Sequence, residues 1–154
     1  SLLELALPVI DPSFNLLPVP DKELSGRYAE TRPYEHAIYV KESVYDAAIR
    51  GGGQARMILA HELAHYLYHS PREISFAYVN RNERLDSNVD PERQADIFAA
   101  EFLAPSGELR GLSVSDVQRK FGVSALAAKN QLRQASNIAR RHASKKKRRS
   151  GPKA

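Results

Sequence analysis

Residues 58–70, ILAHELAHYLYHS, decide how this chain is read. His61, His65 and His69 stand four residues apart, and Glu62 directly follows the first of them. That spacing puts side chains on one face of a helix, a turn apart. From Gln54 to His69 there is no proline or glycine, the apolar residues recur with helical period, and Ser70-Pro71 ends the run. On such a helix His61 and His65 can place two imidazole nitrogens on one cation. Glu62 points aside, where it reaches a water on that cation rather than the cation itself. A carboxylate so placed can take the water's proton during attack on a carbonyl, which makes Glu62 the candidate general base. The five residues HELAH alone also fit a surface helix with two solvated histidines. The apolar flank of Ile58, Leu59, Leu63 and Leu67 favours a helix buried along one side.

Helix rise removes His69 from the metal. It lies about 12 Å along the axis from His61, and three imidazoles spread over two turns cannot converge at bonds of about 2.1 Å. His69 is expected to cap or pack the helix C-terminus, where a cation is favoured. The longer H-E-x-x-H-x-x-G-x-x-H pattern needs glycine at 68 and histidine at 71; the chain has Tyr68 and Pro71.

A third ligand therefore comes from elsewhere. Downstream, DPERQADIFAAEFLAP (90–105) predicts a second helix, with Asp90 as N-cap, Pro91 at the first helical position and Pro105 ending it. Ala95, Phe98, Ala99 and Phe102 form its expected buried face. Glu92, in the first turn, is the best candidate for the third ligand. Asp96 shares its face, and ERQAD resembles the gluzincin arrangement, in which a later helix supplies a Glu ligand and an Asp one turn on bonds the distal nitrogen of a ligating histidine, fixing tautomer and ring orientation. The helix dipole alone also favours an acid at position 92; with HELAH upstream, the ligand reading is preferred.

The rest of the chain frames this pair of helices. The 154 residues suffice for one compact domain, and 42% hydrophobic with 27% charged residues is ordinary globular composition. There is no cysteine, so any metal must rest on His, Asp or Glu. No run reaches the ~18–20 apolar residues of a membrane span. The first residues, SLLELALPVIDP, carry Glu4 and no basic stretch, so no signal peptide is expected, and a cytoplasmic location is. Residues 1–35 are proline-rich and predict extended segments and turns with at most one short helix. HAIYV (36–40) predicts a strand, SVYDAAIRGGG a short helix from about Ser43, ISFAYVN (74–80) a second strand and RNERLDSNVD a loop. SVSDVQRKFGVSALAAKNQLRQASNI predicts two short helices broken at Gly122, capped by Ser113 or Ser115 and by Ser124.

The net charge of +5 belongs to one end. From Arg140 onward there are eight Lys/Arg and no acid, while residues 1–139 hold 15 basic and 18 acidic residues, a net of −3. This low-complexity basic segment is expected to be disordered.

ARMILAHELAHYLYH followed by ERQADIFAAEFLAP resembles the ImmA/IrrE type of bacterial and phage metallopeptidases. The likeness extends through AIYVKESVYDAAIRGGGQ upstream and FGVSALAAKNQL downstream, roughly residues 25–135. Ala64 stands where glycine is usual and Ala104 where methionine is common; neither is a candidate ligand or base. The resemblance implies an α+β, zincin-like minimal metallopeptidase domain with an active-site helix and a small sheet. It implies His61, His65 and Glu92 as ligands, Glu62 as base and Asp96 behind a ligand. The implied cofactor is zinc, with manganese or iron as alternatives for a His₂Glu set. The implied substrate is a helix-turn-helix repressor, cut to derepress a phage, mobile-element or stress regulon. The expected layout is a catalytic domain over 1–110, a helix-turn-helix-like pair packed on it over 111–139, and a disordered basic tail over 140–154. His36, Tyr39, Tyr66 and Tyr78 are candidate oxyanion or substrate contacts. Lys145, Lys146, Lys147, Arg148 and Arg149 are candidate nonspecific nucleic-acid contacts, and Lys129, Asn130, Gln131 and Arg133 candidate groove contacts. The rival reading is a non-proteolytic regulator that keeps the fold to bind DNA or a partner protein.

Overall fold

The computed structural model describes residue 4, residues 7–68 and residues 90–149. His69, Tyr78 and the strand and loop expected between 74 and 89 lie outside the described residues.

A short helix, α1 (Leu7–Ile10), leads into three strands, β1 (Asn15–Val19), β2 (Ala29–Arg32) and β3 (Ala37–Lys41). They form one sheet in the order β1-β3-β2, with β1 parallel and β2 antiparallel to β3. β3 is the strand expected at 36–40, shifted by one residue. The other two fall in the proline-rich region, where extended segments are expected but no strand is delimited. Pro18 sits in β1, an edge strand, where a missing N–H need not break the ladder. β2 has four residues, too few for a clear alternation. Ile38 and Val40 are fully buried on the inward face, paired across to Thr31 and Ala29 of β2.

Two helices follow, α2 (Glu42–Ile49) and α3 (Gly53–Tyr68). α3 is the HELAH helix, and it buries Leu59, Ala60, Leu63 and Ala64 against the sheet and α4 (Pro91–Leu103). Full burial of one leucine is worth about 1.5–3 kcal/mol, so Leu59 and Leu63 each contribute appreciably to docking this helix. Leu67, expected to be buried, is 47% exposed near the helix end.

On α4, Asp90 accepts hydrogen bonds from the backbone N–H groups of Glu92 (3.1 Å) and Arg93 (3.4 Å), and Pro91 opens the helix. Ala95 and Ala99 are fully buried, but Phe102 is 43% exposed. Two alanines at the seam let α3 and α4 approach closely. Phe102 stacks on Phe98 at 5.4 Å along the margin instead of entering it.

The chain ends in α5 (Val114–Phe121) and α6 (Ala125–Arg149). Ser113 and Asp116 form a capping box at α5, and Gly122 (φ 62°) takes the left-handed conformation that turns the chain. Leu109, Val117, Val123 and Ala128 make a second apolar cluster under the pair. The pair is tied to the rest of the molecule. Arg56 Nη1 of α3 donates to the carbonyls of Phe121 (3.2 Å) and Gly122 (3.3 Å). Gln131, 2% exposed, donates to Glu101 Oε1 (2.8 Å) and the Ala104 carbonyl (3.0 Å). Gln131 is thus a packing residue and not a groove contact, whereas Lys129, Asn130 and Arg133 are exposed.

The disordered tail expected over 140–154 is corrected for residues 140–149; the last five residues lie outside the described residues. α6 runs unbroken through Arg149. Ala, Lys and Arg are good helix formers, and no glycine or proline occurs before Gly151. Among the described residues no helix is long and apolar enough to cross a membrane.

Candidate metal centre

The seam between α3 and α4 brings three donors to one point. His61 Nε2 and His65 Nε2 are 3.0 Å apart. Glu92 Oε2 lies 3.3 Å from His61 Nε2, and Glu92 Oε1 lies 3.4 Å from His65 Nε2. Four-coordinate tetrahedral bonds of 2.0–2.2 Å require donor separations of about 3.3–3.6 Å. The three measured edges fall within a few tenths of an ångström of that, so this set fits a tetrahedral cation and leaves one corner open. Among the described residues it is the one group of three that meets this spacing. The chemistry agrees, because two imidazoles and a carboxylate suit zinc.

Local structure explains the convergence. The i, i+4 spacing on α3 aligns the two imidazoles, their rings 4.7 Å apart at 66°. Asp90 caps the turn that carries Glu92, which fixes where that carboxylate emerges. One turn later Asp96 Oδ1 lies 2.9 Å from His61 Nδ1. An Nδ1–H donated to Asp96 leaves Nε2 with its lone pair toward the metal position. The histidines are 22% and 18% exposed and both acids 74%, so the centre opens outward from a buried helix.

Glu62 sits beside this set, and a residue that sequence reasoning missed holds it. Thr31 Oγ1 on β2 lies 2.6 Å from Glu62 Oε2 and 2.9 Å from the Glu62 carbonyl oxygen. The hydroxyl has one proton, and the shorter contact assigns it to the carboxylate. That engages Oε2 of a side chain that lines the same cleft as the three donors. Only the inward register shared with Ala29 hinted at Thr31, and a four-residue strand makes that hint faint.

His61, Glu62, His65 and Glu92 line an open cleft of about 500 Å³, whose far wall is β2 and its flanks: Arg27, Ala29, Glu30, Thr31 and Pro33. A second cavity of about 190 Å³, lined by Leu16, Ile49, Leu59, Leu63 and Phe102 among others, is apolar and brings no metal-ligating set together.

Three of the expected oxyanion or substrate contacts are placed away from the cleft lining. The Tyr66 hydroxyl donates to Asp11, and the ring packs edge-on to Phe14 at 4.9 Å. Burial, then that carboxylate, pushes the hydroxyl well above its ordinary range, so it remains a committed donor. His36 Nδ1 is 3.0 Å from the same Asp11. Tyr39, on the outer face of the sheet, donates to Glu35 at 2.6 Å, with the Arg32 guanidinium 4.2 Å over its ring. Adjacent positions on a helix diverge by about 100°, which is why Tyr66 faces away from its neighbour His65. Tyr78 lies outside the described residues, as do the side chains of Lys145, Lys146, Lys147, Arg148 and Arg149.

Comparison with curated proteins and with solved structures finds no match. A model of a peptidase family, described as the IrrE N-terminal-like domain, matches residues 17–133 and so spans the sheet, the metal centre and the start of the long helix. The chain belongs to this metallopeptidase-type family, the one its HELAH and ERQAD segments resemble.

Proposed function

We propose that the protein is a zinc-dependent endopeptidase that cleaves a helix-turn-helix transcriptional repressor, releasing a phage, mobile-element or stress-response regulon. The observation that carries the enzymatic part is the tetrahedral spacing of His61, His65 and Glu92 with Glu62 held beside it. The choice of substrate rests on the family resemblance.

A bound zinc ion supplies Lewis acidity, polarising a carbonyl and acidifying a water. The residues supply the rest. Glu62 takes the proton from the attacking water and returns it to the departing amine. Thr31 restrains the Glu62 carboxylate through Oε2. Asp96 keeps the His61 ring aligned. Among the described residues β2 pairs only with β3, and its residues line the cleft, where an extended peptide can lie beside it. Geometry also weighs against the binding-only regulator, which has no use for a carboxylate held at the open side of a metal site.

The test is incubation of the purified protein with the helix-turn-helix repressor encoded beside it, in wild-type and Glu62→Gln forms. Wild type yields discrete fragments and Glu62→Gln yields none. Cleavage undiminished in Glu62→Gln would overturn the assignment of the base, and absence of cleavage with zinc bound would overturn the substrate.

A further inference from the structure

We propose that the C-terminal part of α6 is a preformed basic arm that grips the phosphate backbone of duplex nucleic acid. α6 has two parts. From Ala125 to Ala135 it packs on the apolar cluster under α5. Residues 136–141 and Ser144 are all exposed, which makes this stretch a projection, and the helix continues to Arg149. The fourteen residues from Ser136 to Arg149, at 1.5 Å each, span about 21 Å.

Its charge is of one sign. Seven Lys/Arg fall between Arg140 and Arg149, with no acid among them. Arg140 and Arg141 have no carboxylate partner among the described residues. Arg141 and Lys145, and Lys145 and Arg149, stand four apart, a spacing at which like charges on a helix repel. The arm stays helical because its packed stem has already met the cost of nucleation. A run of like charge is relieved by a polyanion, and duplex DNA offers one phosphate per 1.7 Å of axis.

Composition distinguishes the partner. Ile138, Ala139 and Ala143 are the only apolar residues of the projection. A helix that lies in a membrane surface needs a broad apolar face with large side chains, and this one has none. A protein groove is anchored by buried aromatic and aliphatic side chains, which are also missing. What remains is charge at helical spacing, the chemistry of backbone contact without base readout. The inference does not depend on the peptidase reading.

The experiment is fluorescence anisotropy of a labelled 24-base-pair duplex of arbitrary sequence, titrated with the full chain between 50 and 200 mM salt. With about five phosphates engaged, log K falls against log salt with a slope near −4.5. The Lys145→Gln/Lys146→Gln/Lys147→Gln/Arg148→Gln/Arg149→Gln variant binds at least tenfold more weakly at 50 mM salt, with a slope near zero. Ser144→Pro keeps every charge but breaks the arm, and it binds several-fold more weakly than the parent. Duplex binding by the five-fold variant equal to the parent's, or binding of the parent to anionic lipid vesicles alone, overturns the proposal. Unchanged binding by Ser144→Pro overturns the claim that a preformed helix does the gripping.

Discussion

At Thr31 a single hydroxyl restrains the candidate base. Its 2.6 Å bond to Glu62 Oε2 restricts a side chain that would otherwise sample several rotamers beside the metal position. Replacing it with the near-isosteric valine removes the bond and little else. Thr31→Val is predicted to lower kcat by roughly ten- to a hundredfold, the scale of a small misplacement of a reacting group. KM and bound zinc should stay as they are, and Thr31→Ser should recover most of the rate. A Thr31→Val enzyme with full kcat would show that Glu62 needs no such restraint. Asp96 acts on a ligand instead. Asp96→Ala is predicted to weaken zinc affinity about 10–100-fold, measured by competition with a chromogenic chelator; unchanged affinity would mean that the 2.9 Å contact with His61 is incidental. The approach of His61 and His65 was legible in the sequence because helical periodicity ties their spacing to one face, whereas Glu92 comes to them from a second helix. Thr31 was not legible, since its relation to Glu62 is a contact between a strand and a helix 31 residues apart, which no local pattern records.

Among the elements, the helices and β3 announced themselves, and the two other strands did not. Asp90-Pro91, Ser113 with Asp116, and Gly122 mark helix ends with residues whose chemistry is specific to those positions. β1 and β2 have no such punctuation, and each is stabilised chiefly by pairing with β3. The most demanding junction is the N-terminus of α3 against the α5–α6 turn. At Gly53 an added Cβ would lie 2.5 Å from backbone atoms of Val123 and Ser124, which cannot rotate away as a side chain could. Gly53→Ala is therefore predicted to destabilise the fold by about 1–3 kcal/mol, the usual cost of overpacking. Urea unfolding followed by circular dichroism would read this as a lower midpoint with an unchanged slope. An unaltered midpoint would mean that the helical pair is less firmly docked than Arg56, Gln131 and the second apolar cluster indicate.

For the molecule as a whole, charge organisation separates the body from the arm. The body is mildly acidic, and several of its carboxylates are tied into the fold. The Tyr66 hydroxyl, and after it His36, holds Asp11 below its ordinary value of 3.8. The Ser43 hydroxyl does so for Asp21 and the Ser113 hydroxyl for Asp116. A carboxylate with a lowered folded pKa binds its proton less readily in the fold than in the unfolded chain. Its contribution to stability is therefore complete above about pH 4 and lost as pH falls through the lowered folded values. In metal-free protein, Tm is predicted to be insensitive to these groups from pH 7 to 5 and to drop below pH 4. The Asp11→Asn/Asp21→Asn/Asp116→Asn variant should start lower and drop less steeply; an equally steep fall would exclude these three as the cause. The basic end was legible as composition, but its helical state was not. Weak propensities became decisive there because a packed stem precedes them.

Everything proposed for catalysis depends on one cation held between α3 and α4. The direct measurement is zinc content per chain by inductively coupled plasma mass spectrometry, after dialysis against a weak chelator. The variants are His61→Ala, His65→Ala, Glu92→Ala and Glu62→Gln. The account predicts one zinc per chain in wild type and in Glu62→Gln, and loss of zinc in the other three. Wild type without zinc, or a Glu92→Ala variant that keeps its zinc while Glu62→Gln loses it, would contradict it.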